Sequence, residues 1–193
     1  MNSKNLSSLM FIDYEKSFDR LNHENMWEAL RCKGVPEKMI GLIEAQYRAF
    51  SCSVLHNGVL SDPIRVAAGV RQGCVLSTLL FLILIDEILV GTSDREPNRG
   101  LLWQPITLKH LNDFELADDV AFLTQRRSDM QSKLDHLADC SSAAGLTIYD
   151  NKTKSLDVNT VNPSSFTVAG QAVENVDTFQ YLGSQILGAP RST

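Results

Sequence analysis

Two consecutive carboxylates, Asp118 and Asp119, lie between two apolar runs, and a third carboxylate, Asp13, follows a similar run. Two ionised carboxylates about 4 Å apart repel each other by roughly 4 kcal/mol at an effective dielectric of about 20. A divalent cation removes this penalty, and magnesium is usually held by one or two protein carboxylates together with substrate phosphates. These residues therefore indicate metal-assisted phosphoryl transfer. The alternative is an Asp-Asp pair in a solvated turn, where aspartate is common.

Composition describes an ordinary globular protein and limits its partners. The chain has 193 residues, 44% of them hydrophobic and 21% charged, enough for one domain with a substantial core. Its four cysteines form no C-x-x-C pair, which argues against a zinc ribbon or a redox motif. The net charge of −5 argues against nucleic acid, because such binding relies on lysine and arginine. We expect an intracellular protein, cytoplasmic or nuclear, without membrane contact.

Local patterns predict the elements that must position the carboxylates. Residues 9–14 read as a buried strand that ends near Asp13, and Asn57-Gly58 predicts a hairpin between residues 50–56 and 59–66. Residues 76–89 are predicted to form a buried helix, because the apolar run is shorter than the ~18 residues of a membrane span. A second hairpin is predicted over residues 111–124, with Asp118 and Asp119 at its tip.

The second half of the chain predicts one more helix and several short strands. Ser128 is the expected helix cap and Gly145 the expected end. Short strands are predicted at residues 146–149, 155–158, 166–168 and 179–186. Hairpins without regular βα alternation indicate an α+β fold, an antiparallel sheet with helices packed on one face. Such a sheet can hold Asp13 beside the tip of the 111–124 hairpin.

Five ordered blocks resemble the reverse transcriptases of non-LTR (LINE-like) retrotransposons. The blocks are Phe11-Ile12-Asp13-Tyr14-Glu15-Lys16-Ser17-Phe18-Asp19, Gly69-Val70-Arg71-Gln72-Gly73-Cys74-Val75-Leu76-Ser77, Leu116-Ala117-Asp118-Asp119, Gly145-Leu146-Thr147-Ile148 with Asn151-Lys152-Thr153-Lys154, and Phe179-Gln180-Tyr181-Leu182-Gly183-Ser184. Any one block is a weak signal, but five in the expected order span nearly the whole chain.

The resemblance implies a polymerase palm with a two-metal site. Asp13 and Asp118 would hold two magnesium ions, and Asp119 would complete the acidic cluster. Two cations can activate the 3′-hydroxyl of a primer, stabilise the in-line transition state and neutralise the departing pyrophosphate. The implied partners are an RNA template, a DNA primer and a deoxynucleoside triphosphate.

The resemblance also implies which residues contact the nucleotide. Phe18 would lie against its sugar and exclude a 2′-hydroxyl, with ordinary core packing as the alternative. The positions that match the family's nucleotide site are Tyr14, Phe18, Arg71, Gln72, Gly73, Lys152 and Lys154. Arg71 offers a fork for phosphate, Gly73 would allow close backbone approach, and either lysine could serve the triphosphate or be a surface residue.

The last block resembles the hairpin that grips the primer. Its matching positions are Phe179, Tyr181, Leu182 and Gly183, although aromatic residues in strands are more often simply packed. We interpret residues 1–160 as the palm without fingers and residues 161–193 as its end without a thumb. Apolar palm surface left uncovered in this way predicts self-association.

Some positions depart from the family pattern. Leu116 replaces the usual tyrosine before Ala-Asp-Asp, and Val75 and Thr78 replace two prolines, which affects loop rigidity but not the metal ligands. We interpret the chain as a fragment of an RNA-directed DNA polymerase, incomplete on its own. The alternatives are a catalytically inert retroelement remnant or interaction module, and an unrelated magnesium-dependent phosphotransferase with a fortuitous resemblance.

Overall fold

The computed structural model describes residues 8–48, 50–93, 100–103, 109–111, 113–116, 119–158 and 165–188. The helices are α1 (Ser17–Arg20), α2 (His23–Cys32), α3 (Glu37–Arg48), α4 (Val75–Ser93) and α5 (Arg127–Ala143). The strands are β1 (Ser8–Ile12), β2 (Ser51–Cys52), β3 (Leu55–His56), β4 (Val59–Leu60), β5 (Ile64–Arg65), β6 (Leu101–Trp103), β7 (Lys109–Leu111), β8 (Asp113–Leu116), β9 (Asp119–Thr124), β10 (Lys154–Asp157), β11 (Phe166–Val168), β12 (Gln171–Asn175), β13 (Thr178–Tyr181) and β14 (Ser184–Leu187).

A six-stranded sheet in the order β11-β12-β10-β1-β9-β8 forms the centre of the fold. Its pairs are antiparallel except β10 with β12, which run parallel. The predicted α+β fold is therefore confirmed, with a mixed sheet in place of a wholly antiparallel one. Strands from both sides of residue 160 belong to this single sheet.

The central strand β1 is buried on both faces, which explains its uninterrupted apolar sequence. Side chains alternate across a strand, so neighbouring residues enter different clusters. Met10 and Ile12 belong to the large core that contains residues of the long helices. Leu9 and Phe11 belong to a smaller cluster against which Phe179 packs from the β13–β14 hairpin. Helices thus cover one face of the sheet, and a hairpin covers part of the other.

Helix α4 is longer than the sequence predicted, with 19 residues that continue past Asp86 and Glu87. Residues 75–92 have a mean hydropathy of 2.1, so by length and composition alone this helix could cross a membrane. It packs against α2 and α5 instead. Lys33 at the end of α2 pairs with Asp86 at 2.5 Å and with Glu87 at 3.3 Å, which lets α4 carry two carboxylates within its apolar sequence.

The hairpin predictions are confirmed where the structure describes them. His56 pairs with Val59 across Asn57 and Gly58, whose φ angles are +48° and +78°, the combination that a two-residue type I′ turn requires. The predicted hairpin of residues 111–124 corresponds to β8 and β9, but the tip residues Ala117 and Asp118 lie outside the described residues.

Two local predictions are wrong. Helix α5 begins two residues earlier than predicted, after Arg126, and no side chain caps its N-terminus, so Ser128 is not the cap. Residues 146–149 form no strand; Ile148 makes a single isolated bridge with Tyr14. The predicted helix end is correct, since Gly145 follows α5 with φ of +83°.

Tyr14 connects the sheet to α5 through a buried polar contact. Its side chain is 5% exposed, and its hydroxyl lies 3.0 Å from the hydroxyl of Ser141. Burial raises the pKa of the Tyr14 phenol to about 12, from an ordinary value of 10.0. The folded protein therefore holds this proton more tightly than the unfolded chain does. The resulting stability is fully present below pH 10 and is lost as the pH rises toward 12.

We expect Tyr14→Phe to lower the free energy of unfolding by about 1 kcal/mol at pH 8, because the hydrogen bond with Ser141 is lost. At pH 11 the wild type loses the advantage of the protonated phenol, so the difference should shrink by about 1 kcal/mol. Urea unfolding of both proteins at the two pH values measures the free energies of unfolding. The difference between wild type and variant at each pH removes the contributions of the other titrating groups, which the two proteins share. A difference that does not change with pH would contradict the prediction.

Candidate active site

Strand pairing brings two of the three predicted catalytic carboxylates together. Ile12 pairs with Val120 across β1 and β9, and Leu116 pairs with Asp119 across β8 and β9. Asp13 follows Ile12 and Asp119 precedes Val120, so the same register aligns the two carboxylates. Residues opposed in this way have Cβ atoms about 5 Å apart. Asp118 lies outside the described residues, and its approach to Asp13 stays a prediction.

Asp13 and Asp119 line one pocket of about 320 Å³ at the ends of β1 and β9. The predicted site residues in this pocket are Asp13, Asp119, Lys152, Lys154, Phe179 and Tyr181. The fourth and fifth sequence blocks therefore meet the first and third in space, as the resemblance implies. Tyr14, Phe18, Arg71, Gln72 and Gly73 do not line it.

One oxygen of Asp13 is enclosed without a hydrogen bond. Oδ2 is shielded from solvent, although the side chain as a whole is 31% exposed. Lys152 Nζ lies 3.3 Å from this oxygen, without the alignment of a hydrogen bond. Because the Lys152 side chain is 66% exposed, water screens this ion pair and it stabilises the fold little. The carboxylate therefore retains coordinating capacity.

The backbone of Asp13 is held from the segment that precedes β10. Its carbonyl accepts a hydrogen bond of 2.7 Å from the amide of Tyr149, and its amide donates to Thr153 Oγ1 at 3.4 Å. Thr153 is fully buried. The segment that carries Lys152 is thereby attached to Asp13 itself.

No group of three His, Cys, Asp or Glu side chains suitable for a metal occurs within the part of the chain that the structure describes. Asp118 lies outside that part. Two of the three predicted carboxylates, Asp13 and Asp119, are thus among the described residues.

The two lysines of the fourth block differ in their contacts. Lys152 is exposed and faces Asp13, whereas Lys154 lies in β10 and is directed at Glu174, with Nζ 2.6 Å from a carboxylate oxygen. Lys154 Nζ also donates to the carbonyl of Asn151 at 2.6 Å. Lys152 is the more available of the two for a phosphate.

The β13–β14 hairpin rests on the sheet beside the carboxylates. The ring of Phe179 stacks on Phe11 with centroids 4.0 Å apart, and the Tyr181 hydroxyl donates to the backbone carbonyl of Asp119 at 3.2 Å. Leu182 and Gly183 form the turn, with φ angles of +48° and +79°. Burial raises the pKa of the Tyr181 phenol, and the negative charge of Asp119 raises it further.

The remaining predicted nucleotide residues lie elsewhere on the fold. The Tyr14 side chain is in the core, so only its backbone is available to a ligand. Phe18 stacks on Phe81 with centroids 4.6 Å apart and is partly buried. The packing that we gave as the alternative role of Phe18 is thus present in the structure, and the residue is only partly buried.

Residues 69–74 of the second block form a loop between β5 and α4, and residues 75–77 begin α4. The guanidinium of Arg71 lies 4.4 Å from the centre of the Phe50 ring and donates to the carbonyl of Gln46, while its Nε is buried without a partner. Gln72 Nε2 donates to Asp19 at 3.3 Å.

Two glycines of this loop have different roles. Gly73 has φ of +78°, and a Cβ there would meet nothing within 4 Å. Its positive φ suits glycine, and the expected close approach of its backbone to a nucleotide stays a prediction. Close approach occurs at Gly69, where an added Cβ would lie 2.7 Å from the carbonyl oxygens of Phe18 and Asp19. Sequence reasoning quoted Gly69 but gave it no role; its place at the start of the block was the available signal.

Comparisons with known proteins agree with the fold and the order of the blocks. A family model described as reverse transcriptase (RNA-dependent DNA polymerase) matches residues 1–186. The chain is 26% identical over 186 residues to the retrovirus-related Pol polyprotein from type-1 retrotransposable element R2 of Popillia japonica, which covers 91% of this chain and 30% of the relative. It is 27% identical over 183 residues to the corresponding polyprotein from type-2 retrotransposable element R2DM of Drosophila melanogaster. That match covers 89% of this chain and 17% of the relative.

Solved structures show the same fold. Apo telomerase from Candida tropicalis, truncated from the C-terminal domain, superposes with a TM-score of 0.64 at 18% identity and covers 88% of this chain and 34% of that one. Telomerase from the same organism in complex with a fragment of telomeric RNA gives a TM-score of 0.60 at 19% identity, covering 90% and 29%.

The curated relatives are much longer than this chain, which spans 30% or less of their length. Their matches confirm the resemblance to non-LTR retrotransposon reverse transcriptases that the five blocks carry. A match over residues 1–186, together with the shared fold, establishes that this chain belongs to the reverse transcriptase (RNA-dependent DNA polymerase) family.

Proposed function

We propose that the chain is the palm of an RNA-directed DNA polymerase, which transfers a deoxynucleotide to a primer 3′-hydroxyl on an RNA template. The observation that carries the proposal is the β1–β9 register, which aligns Asp13 with Asp119 at one pocket. The β13–β14 hairpin lies at the same pocket, where a primer end would meet the carboxylates. An intracellular location, cytoplasmic or nuclear, is part of the proposal, and the free thiols of all four cysteines support it.

Members of this family use divalent metal ions, and we propose Mg²⁺ for this chain. The donor set fits, because carboxylate oxygens suit magnesium and Asp13 has an enclosed oxygen without a hydrogen bond. Asp13, Asp118 and Asp119 would hold two ions. When bound, these ions supply activation of the attacking hydroxyl and neutralisation of the leaving phosphate.

Around that site the protein's own side chains bind and orient the substrates. Lys152 Nζ lies 3.3 Å from Asp13 Oδ2 and, with a cation bound at Asp13, would be available to contact the triphosphate. Tyr181 fixes the position of the β13–β14 hairpin relative to Asp119, so the primer end contacts a surface aligned with the metal ligands. Phe18, Arg71, Gln72 and Gly73 would contact the nucleotide from the side of α1 and the 69–73 loop.

A catalytically inert remnant is the competing proposal, and one assay separates the two. Any primer extension by the wild-type chain on an RNA template with Mg²⁺ should fall by more than roughly 100-fold in Asp13→Asn and in Asp118→Asn, because each variant removes a metal-binding charge. Asp62→Asn, a change of the same kind at an exposed loop position, is the matched control and should retain activity. Absence of extension in the wild type and all variants would support the inert alternative.

Phe18 should determine the choice of sugar. We expect Phe18→Val to raise incorporation of ribonucleotides relative to deoxynucleotides by roughly 10- to 100-fold, because a smaller side chain leaves room for a 2′-hydroxyl. Phe81→Leu is the control, since it changes the other ring of the Phe18–Phe81 stack within the core. It should lower stability without changing the sugar preference. An unchanged preference in Phe18→Val would leave Phe18 as a packing residue only.

Self-association is proposed through the exposed hairpin of β3 and β4. Large apolar side chains are more than half exposed there: Val54, Leu55, Val59, Leu60 and Ile64. A contiguous exposed apolar surface favours association with a second copy. We expect light scattering to give a mass above that of one chain that rises with concentration, and Leu55→Ser with Leu60→Ser to abolish the rise. The control Leu42→Ser, which removes an exposed leucine from α3, should not change the rise of mass with concentration. A monomeric wild type at high concentration would contradict this prediction.

A further inference from the structure

The 69–73 loop is joined to the segment that carries Phe18 by backbone hydrogen bonds. The amide of Gly69 donates to the carbonyl of Leu21 at 2.8 Å, and the amide of Val70 donates to the carbonyl of Phe18 at 2.7 Å. Gln72 adds a side-chain bond to Asp19. The two sequence blocks assigned to the nucleotide therefore form one structural unit.

Gly69 is the point of closest contact in this unit. Its φ is +82°, and a Cβ there would come within 2.7 Å of two carbonyl oxygens. A side chain at this position would push the loop away from Phe18. Because only the backbone of Gly69 can occupy this space, the distance between loop and Phe18 depends on what holds that backbone in place.

His23 holds the same glycine from its other side. Its Nε2 lies 2.8 Å from the carbonyl oxygen of Gly69. A carbonyl only accepts hydrogen bonds, so Nε2 carries the hydrogen and donates it. The bond completes the pairing of Gly69, whose amide already donates to Leu21.

The His23 ring is itself held in place. It is half-buried at the first position of α2, where Asn22 Oδ1 caps the helix by accepting from the amide of Glu24 at 2.8 Å. Its ring meets Tyr47 edge-on with centroids 5.1 Å apart and lies 5.9 Å from Trp27. These contacts restrict the orientation of the His23 ring, so that its Nε2 is directed at the Gly69 carbonyl.

We propose that His23 is a positioning residue of the nucleotide site: its bond to Gly69 fixes the 69–73 loop at the distance from Phe18 that an incoming nucleotide requires. This inference rests on the proposed function, because the loop and Phe18 are assigned to the nucleotide there. His23 itself touches no substrate. A hydrogen bond of ordinary net strength shifts a local open–closed equilibrium by about 2- to 10-fold.

Two variants separate the donor from the ring. His23→Phe keeps an aromatic ring against Tyr47 and Trp27 but has no donor, whereas His23→Gln keeps an N–H donor of similar reach without the ring. Hydrogen exchange of the intact chain, followed by mass spectrometry, reports on residues 69–73, with α5 as an internal reference. We expect His23→Phe to speed exchange of the loop by about 2- to 10-fold, with α5 unchanged and with His23→Gln close to wild type.

The same measurement with Mg²⁺ and a deoxynucleoside triphosphate tests the link to the nucleotide. We expect the nucleotide to protect the loop in the wild type and in His23→Gln, and to protect it less in His23→Phe at equal concentration. Loop exchange that is equal in all three proteins, equal acceleration of loop and α5, or nucleotide protection unaffected by His23→Phe would each overturn the positioning role.

The failure of the proposed function gives a different pattern. In that case the nucleotide protects no protein, with or without the substitutions. That pattern would overturn the proposed function and, with it, the role of His23 at the nucleotide site. The role of His23 alone would be overturned if the nucleotide protected the loop of His23→Phe as strongly as that of the wild type.

Discussion

The register between β1 and β9 is the constraint on which the site depends. Side chains alternate across a strand, so a slip of one residue would move Asp13 to the opposite face from Asp119 and would exchange the two apolar clusters of β1. Burial of all five β1 residues opposes that slip, because a shifted strand would have to repack both faces at once. The hydrophobic core therefore determines where the carboxylates lie, although no core residue takes part in the proposed chemistry.

The two faces of the sheet contribute differently. The helical side provides most of the buried apolar surface, through residues such as Phe81, Leu134 and Phe122. The other side is covered in part by the β13–β14 hairpin, whose rings pack on Phe11. The hairpin thus contacts the residue two positions before Asp13 and, through Tyr181, the backbone of Asp119. Packing and site geometry are joined at this small cluster.

The sequence predicted those parts of the fold that local chemistry determines. The continuous apolar run before Asp13 indicated a strand buried on both sides, and Asn57-Gly58 indicated a turn that needs two positive φ angles.

Strand β12 was missed because its sequence, Gln171–Asn175, offers few apolar residues and is stabilised by pairing with β10 and β11. The length of α4 was underestimated, with a predicted end at residue 89 and an observed end at Ser93; the partner that accommodates its carboxylates Asp86 and Glu87 is Lys33, at the end of α2. Likewise, nothing local to His23 indicates that its ring bonds Gly69. Of the predicted acidic cluster, the register explains why Asp13 and Asp119 meet, and the place of Asp118 stays a prediction.

The local charge balance reconciles an acidic chain with the anionic substrate that we propose. The net charge is −5, and the two lysines at the pocket already face carboxylates, Lys152 with Asp13 and Lys154 with Glu174. Divalent cations at the aspartates would reverse the sign of the local charge and release Lys152, so affinity for phosphates should follow cation binding.

The most direct test is a crystal structure of the chain grown with Mn²⁺ and measured at the manganese absorption edge. The account predicts an anomalous peak within bonding distance of Asp13 Oδ2 and a carboxylate oxygen of Asp118; a peak that avoids Asp13, or side chains of Asp13 and Asp118 too far apart to share an ion, would contradict it.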